Sequence, residues 1–309
     1  MIRIGFILFF VIALLGDFIA NEKPLYCKIQ GKVQFPAFQQ KAVDWHLAQA
    51  DSSISARNWL TLNAYESVIK APIPFSAGTL DKNNANLKAP FKTQHWLGTD
   101  MLGRDLLAGL IHGCGTAFWI GIGATLLATI LGIFFGGLAG FLGGYWDVII
   151  LKIIEIKRTI PALFWILTLC AVINKCTVIH IILIIGGLTW TTIALLMRGA
   201  LQKVKTEDYI TAAKTLGLNQ WQIFFKHALF NSLTPVYVAA SFLFAEAILM
   251  EASLSFLGIG LAIEEVSWGS ILRQGQNDMT AWWLVFFPGL CIFLVVLLAN
   301  SIGEKLRHS

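Results

Sequence analysis

The chain has 309 residues, of which 56% are hydrophobic and 13% charged, with a formal net charge of +5 and a mean hydropathy of +0.69. Soluble domains carry about 25% charged residues. This composition leaves too little polar surface to cover a water-soluble globule, and a bilayer is the solvent that accommodates the excess. The small positive charge, with no dense Lys/Arg cluster interleaved with aromatics, argues against a nucleic-acid partner and fits basic loops beside membrane lipid.

A membrane-crossing helix needs about 20 mostly apolar residues. Six stretches qualify: residues 4–20, 117–142, 147–174, 178–201, 235–261 and 281–302. The first follows Arg3 and carries Phe18 where signal-peptide cleavage requires a small residue. Residues 1–20 therefore read as an uncleaved anchor; a cleaved signal peptide, the alternative, leaves five spans. Residues 143–158 carry Lys152, Lys157 and Arg158; residues 202–232 carry Lys203, Lys205, Lys214 and Lys226; the tail carries Lys305 and Arg307. Residues 174–177 hold only Lys175, and 262–280 only Arg273. The basic loops and both termini are thus expected in the cytoplasm. Residues 21–113 then lie outside, punctuated by Pro24, Pro36, Pro72, Pro74 and Pro90, and are expected to form a small folded cap. Asp44, His46 and Asp51 have no metal-ligand spacing. The cysteines (Cys27, Cys114, Cys170, Cys176 and Cys291) form no CxxC pair and read as small buried hydrophobes. No metal or cofactor is expected.

The second span places Gly132, Gly136, Gly140 and Gly144 at four-residue steps, on one helical face. Such a face lets two helix backbones approach closely, either for packing within the subunit or along a translocation path. Glu246 and Glu251 lie in the fifth span, about 140° apart. They do not form a paired-carboxylate relay, and each is read as a packing or path residue. Pro161, Pro235 and Pro288 mark kinks in or at the ends of spans.

The most informative loop is residues 206–231. Thr206 is expected to cap a helix running to about Leu216, Gly217 to stop it, and Asn219 to start a second. Ala212 and Ala213 would leave one surface smooth, as suits an element that docks into a groove of another protein. An amphipathic interfacial hairpin is the plainer reading of the loop alone.

This loop resembles the EAA loop of ABC importer permeases, with Ala212, Ala213 and Gly217 at the motif positions, Thr211 where glutamate is usual and Phe230 where proline is common. Four further stretches resemble, in order and spacing, the C-type subunit of the binding-protein-dependent dipeptide, oligopeptide and nickel group. They are His95-Trp-Leu-Gly-Thr-Asp-Met-Leu-Gly-Arg-Asp105, Glu251-Ala-Ser-Leu-Ser-Phe-Leu-Gly258, Ser267-Trp-Gly269 and Pro288-Gly289. The likeness spans residues 94–307, with Gly115 in place of a usual arginine.

The resemblance implies an all-α, type I importer permease fold with about six transmembrane helices. It divides the chain into an anchor (1–20), an extracytoplasmic segment (21–113), a permease domain (114–304) and a cytoplasmic tail (305–309). It also implies a homologous B-type permease partner, two ABC ATPase subunits, an extracytoplasmic binding protein and a place in the bacterial cytoplasmic membrane. The cargo would be oligopeptides or dipeptides, with nickel or another small solute as the alternative. Asp208, Tyr209, Ala212, Ala213, Gly217 and His227 become the candidate ATPase-coupling residues. The chain contains no GxxxxGK[ST] phosphate loop, so ATP hydrolysis is expected on the partners. Two rival classes remain: an ATP-independent secondary transporter, which calls for facing charges in mid-membrane and internal repeats, and an anchored sensor or enzyme, which calls for a catalytic set within residues 21–113. Neither signature is evident in the sequence.

Overall fold

The computed structural model describes residues 2–29, 31–44, 66–81, 87–91, 94–173, 175–262 and 265–307. His46, Asp51 and the expected end of the third span at Asn174 lie outside these. The chain divides into two compact units, one made of Met1–Ile2, Trp119–Ala262 and Phe293–Ser309, the other of Arg3–Phe118 and Ile263–Ile292.

The first unit is helical. Helix α3 (Leu106–Gly137) enters it at Trp119 and ends in a π-helical turn, Leu138–Leu142. Gly132, Gly136 and Gly140 face α6 (Val178–Val204) at backbone distance. A methyl group on Gly136 would stand 2.5 Å from the Ala194 carbonyl oxygen, and one on Gly140 2.8 Å from that of Arg198. Gly132 meets the Ile193 side chain in the same way. Gly144 does not continue this face. After the π turn, Gly143 and Gly144 take φ of +70° and +56° and turn the chain into α4 (Gly144–Thr159), with no heavy atom within 4 Å of a would-be side chain at Gly144. A regular helix through residue 144 was the premise of the four-glycine stripe, and the left-handed pair breaks it.

The third span, expected as one helix over residues 147–174, is two: α4 and α5 (Ala162–Val172). Pro161 lacks an N–H and drives the preceding Ile160 out of the helical region, to φ −102°, ψ 127°. Asp147 in the first turn of α4 accepts two hydrogen bonds from Arg198, at 2.5 and 2.7 Å, fixing α4 to α6. Helix α9 (Thr234–Leu257), with Pro235 in its first turn, packs along α6. The two larger apolar cores among the described residues follow from this packing. Ala128, Ile193, Met197, Leu201, Val236 and Leu243 lie in one; Ile120, Ala124, Ile166, Ile181, Ile185 and Leu254 lie in the other.

The second unit holds α1 (Ile2–Ile19, from Arg3), α2 (Pro36–Asp44), the start of α3, α10 (Trp268–Asn277) and the start of α11 (Trp283–Arg307). It also carries one small sheet within the expected helical fold. Strands β1 (Tyr26–Ile29), β2 (Lys32–Gln34) and β3 (Ser67–Ile69) form an antiparallel sheet in the order β2-β1-β3, with Cys27 opposite Gln34 on one side and Val68 on the other. Alternation over so few residues is too short a signal to read against a membrane-protein background. Trp268 lies against Gly113, and its indole N–H donates to the Leu110 carbonyl at 2.9 Å.

Among the described residues, four helical stretches are long and apolar enough to cross a membrane: Leu106–Leu142, Val178–Val204, Thr234–Leu257 and Trp283–Arg307. Helices α1 and α5 are apolar but shorter.

The close α3–α6 contact predicts opposite outcomes for two glycines. Gly136→Ala forces backbone apart and is expected to destabilise the purified chain by about 1–3 kcal/mol. Gly187→Ala, where nothing lies within 4 Å, is expected to be neutral or to stabilise by up to about 1 kcal/mol through helix propensity. Thermal unfolding in detergent distinguishes them.

Candidate functional site

The loop between α6 and α9 is built as two short helices around a glycine. Helix α7 (Asp208–Thr215) is not capped by Thr206, whose hydroxyl instead donates to the Lys203 carbonyl at 2.7 Å. Glu207 occupies the cap position without a side-chain bond. Extending α6 to Val204 leaves Thr206 inside the preceding turn, so the start of α7 slides one residue. Gly217 has φ +79°, and the Leu218 N–H returns to the Ala213 carbonyl at 3.2 Å, the closure that a left-handed residue permits. Asn219 caps α8 (Gln220–Ile223), accepting from the Trp221 N–H at 3.0 Å. A π turn (Phe224–Ala228) and one further turn (Leu229–Asn231) lead to α9.

The two faces of this loop differ sharply. Ile210, Ala213, Ile223, Phe224 and Ala228 are buried in the core formed by α6 and α9, and the Phe224 ring lies 4.9 Å from Phe141. Ala213 is therefore part of the subunit's own interior, which corrects its placement on a docking surface; the i, i+3 step from Ile210 puts it there. Ala212 stays exposed beside it. Tyr209, Leu216, Trp221, Phe225 and Phe230 are large apolar residues on the exposed face, Leu216 at 80% and Trp221 at 52%. The rings of Trp221 and Phe225 stack at 6.2 Å. Asp208 is exposed, and His227 is half-buried with its carbonyl accepting from Asn231 at 2.8 Å. The Tyr209 hydroxyl also accepts from Asn231, at 3.2 Å. A groove of about 720 Å³ runs along this root of the loop, between Gly199 and Lys203 of α6 and Tyr209, Asn231 and Pro235.

The two glutamates separate as their angular spacing implies. Glu251 is 1% exposed and accepts from Ser255 Oγ at 2.7 Å. Ser255 in turn packs under the turn that follows Gly258, where φ is +80°. The segment of residues 251–258 is thus a helix-ending clasp with the Glu251 carboxylate buried in it. Glu246 is exposed on this chain.

Residues 95–105 form a buried polar knot that sequence reading marked without explaining. His95 is fully buried and donates from Nδ1 to Asp105 at 2.8 Å, with Asp81 3.4 Å from Nε2. The other Asp105 oxygen caps α3 by accepting from the Ala108 N–H at 2.7 Å, which is why that helix starts well before the apolar run. Asp100 accepts from the backbone of Leu102 and Arg104 and from Arg104 Nε. The Gln274 amide bridges Asp100 and Arg104 at 2.9 and 3.1 Å. Trp283 donates to the Thr99 carbonyl at 3.1 Å. Burial works against a charged imidazole at His95, but the hydrogen bonds and charges of Asp105 and then Asp81 outweigh it and raise the His95 pKa.

The fold, long apolar helices with a helix–glycine–helix loop between α6 and α9, is that of an ABC transporter's membrane subunit. A chain of the MetNI methionine ABC transporter, solved in inward-facing conformations, superposes with a TM-score of 0.54 at 19% identity, over 66% of this chain and 97% of that one. Residues 132–308 match the family of binding-protein-dependent transport system inner membrane components, and the chain belongs to that family. It is 30% identical to the inner membrane ABC transporter permease protein YejE of Escherichia coli (strain K12), over 98% of this chain and 90% of that protein. It is 32% identical to the oligopeptide transport system permease protein OppC of Bacillus subtilis (strain 168), over 74% of each.

Two stability measurements test this geometry. Ala213→Asp buries a charge in the loop's root and is expected to cost more than about 2 kcal/mol, whereas Leu216→Asp, on the open face, is expected to stay within about 0.5 kcal/mol of wild type. Protonated His95 stabilises the fold through two carboxylates. That contribution is complete below about pH 6.5, the unfolded imidazole value, and declines as pH rises through the raised folded value. The unfolding temperature is expected to fall over that alkaline interval, and His95→Gln to flatten the dependence.

Proposed function

We propose that this chain is the C-type permease subunit of an ATP-driven importer, carrying oligopeptides or dipeptides across the bacterial cytoplasmic membrane. In this reading it pairs with a homologous B-type permease, two ABC ATPases bind its cytoplasmic face, and an extracytoplasmic binding protein delivers the peptide. Both termini and the loop of residues 206–231 lie in the cytoplasm, and residues 21–113 lie outside. The names of the matched relatives support a peptide cargo. The observation that carries the reading is the two-faced loop. Its inner face (Ile210, Ala213, Ile223, Phe224, Ala228) is rooted among α6 and α9, while its outer face presents Ala212, Leu216, Trp221 and Phe225. A rigidly rooted element with an unoccupied apolar face suits docking into a cleft of another protein, and its root passes any displacement to the two spans it joins. The groove beside Gly199 and Lys203 leaves room for that displacement.

The test is peptide uptake by the chain reconstituted with those partners. Leu216→Asp places a charge on the docking face. Gly217→Val puts a β-branched residue at φ +79°, where it is a steric outlier. Both are expected to abolish uptake and peptide-stimulated ATP hydrolysis while the chain still inserts and pairs with its permease partner. Wild-type uptake by Leu216→Asp would refute coupling through this loop. Uptake that persists without ATP would favour the secondary-transporter class.

A further inference from the structure

The groove at the root of the α6–α9 loop carries a chemistry that docking of the loop does not use. It measures about 720 Å³, inside the range of about 300–1,000 Å³ that small-molecule sites occupy. Helix α6, α7 and the start of α9 build it, all within the first unit. Along α6 its lining changes character. Leu195, Leu196 and Gly199 line the deeper part, and Lys203 the outer part, about 12 Å further on at 1.5 Å per residue. Glu207, Tyr209 and Asn231 join Lys203 there. The change falls where α6 leaves the hydrocarbon. Between Val178 and Met197 the helix carries no Asp, Glu, Lys or Arg, a run of about 20 residues, which is the thickness of a bilayer core. Arg198 follows, tied to Asp147. The apolar part of the groove is therefore level with the last turn in hydrocarbon, and the polar part is level with the headgroups.

The polar part holds opposite charges that do not satisfy each other. Lys203 and Glu207 stand four residues apart, yet among the described residues neither side chain makes an ion pair or a hydrogen bond. The Asn231 amide nitrogen donates to the Tyr209 hydroxyl at 3.2 Å and to the His227 carbonyl at 2.8 Å. The Asn231 side-chain oxygen is left as an acceptor and the Tyr209 O–H as a donor. One cation with a donor, and one carboxylate with an acceptor, thus surround the mouth of a slot with an apolar floor. A phospholipid whose headgroup joins a phosphate to a primary ammonium has the matching parts in the matching order of depth. A purely anionic headgroup would face Glu207 with nothing to offer it. A helix of another protein laid in the groove would have to bring two charges of its own to avoid burying these unpaired, whereas one zwitterionic headgroup supplies both.

We propose that this groove binds one phospholipid of the phosphatidylethanolamine type. Lys203 and the Tyr209 hydroxyl hold the phosphate, Glu207 and the Asn231 side-chain oxygen receive the ammonium, and an acyl chain lies along Leu195, Leu196 and Gly199. A lipid is a fluid filling, so it occupies the groove while leaving the root of the loop free to move. The site goes beyond the importer reading and depends on no particular cargo.

The test uses the full transporter in phosphatidylcholine vesicles, whose quaternary ammonium donates no hydrogen bond, with a trace of phosphatidylethanolamine bearing a photoreactive diazirine in one acyl chain. Mass-spectrometric mapping is expected to find adducts on this chain concentrated in residues 195–204. Unlabelled phosphatidylethanolamine is expected to compete, and phosphatidylglycerol, which has the phosphate without the ammonium, to compete roughly tenfold less well. Gly199 has open space around it, so Gly199→Leu extends into the groove without a clash at its Cβ. It is expected to remove these adducts while those elsewhere on the spans persist. Glu207→Gln is expected to erase the preference between the two lipids. Adducts spread evenly over the spans, or unchanged by Gly199→Leu, would mean ordinary boundary lipid and overturn the proposal. Equal competition by phosphatidylglycerol in the wild-type chain would remove the headgroup match, and with it the site. Adducts that form on the chain alone but vanish in the assembled transporter would give the groove to a protein partner, and adducts displaced by free tripeptide would give it to the cargo; either result contradicts a lipid site.

Discussion

Lipid solvates apolar side chains as well as protein does, so helices in a bilayer associate through close backbone approach rather than through burial alone. In this chain the approach is made by Gly132, Gly136 and Gly140 against Ile193, Ala194 and Arg198. Gly136 and Gly140 meet the backbone of α6 directly, and Gly132 admits the Ile193 side chain. The consequence is that α6 has a fixed depth and rotation against α3. From that fixed position follow the sites of Arg198, which receives α4 through Asp147, and of Met197, Leu201 and Val204, which form the floor beneath the α6–α9 loop.

The loop is thus an extension of a packed core and not an appendage. Ile210 and Ala213 descend from α7 into the same cluster as Ile223 and Phe224, leaving Gly217 at the outermost turn with open space around it. A force applied to Leu216 or Trp221 would act on α6 and α9 together.

The sequence disclosed these features unequally, for physical reasons. Gly217 and Asn219 were legible because a left-handed turn and a helix cap each restrict residue type strongly. The family resemblance was legible because several motifs lie in register. Gly144 was misplaced because periodicity presumes an unbroken helix, and nothing local announces a π turn. The division of the third span was half-visible: Pro161 was noted as a kink, but whether neighbours carry a helix through a proline depends on tertiary contacts. Ala213 was assigned to the wrong face because alanine is compatible with both. Lys157 and Arg158 were counted both in the basic loop and in the third span, because charge counting reports sign and not depth. The three-stranded sheet and the His95–Asp105 knot depend on pairings distant in sequence and gave no periodic signal at all.

The central claim, that residues 206–231 receive the ATPase, is tested most directly by placing a photo-crosslinking amino acid at position 216 in the native membrane and identifying what it captures. The account predicts one dominant adduct, to an ATP-binding-cassette subunit, that disappears when the same probe is moved to position 213 within the loop's root. Adducts to lipid alone, or equal capture from both positions, would contradict it.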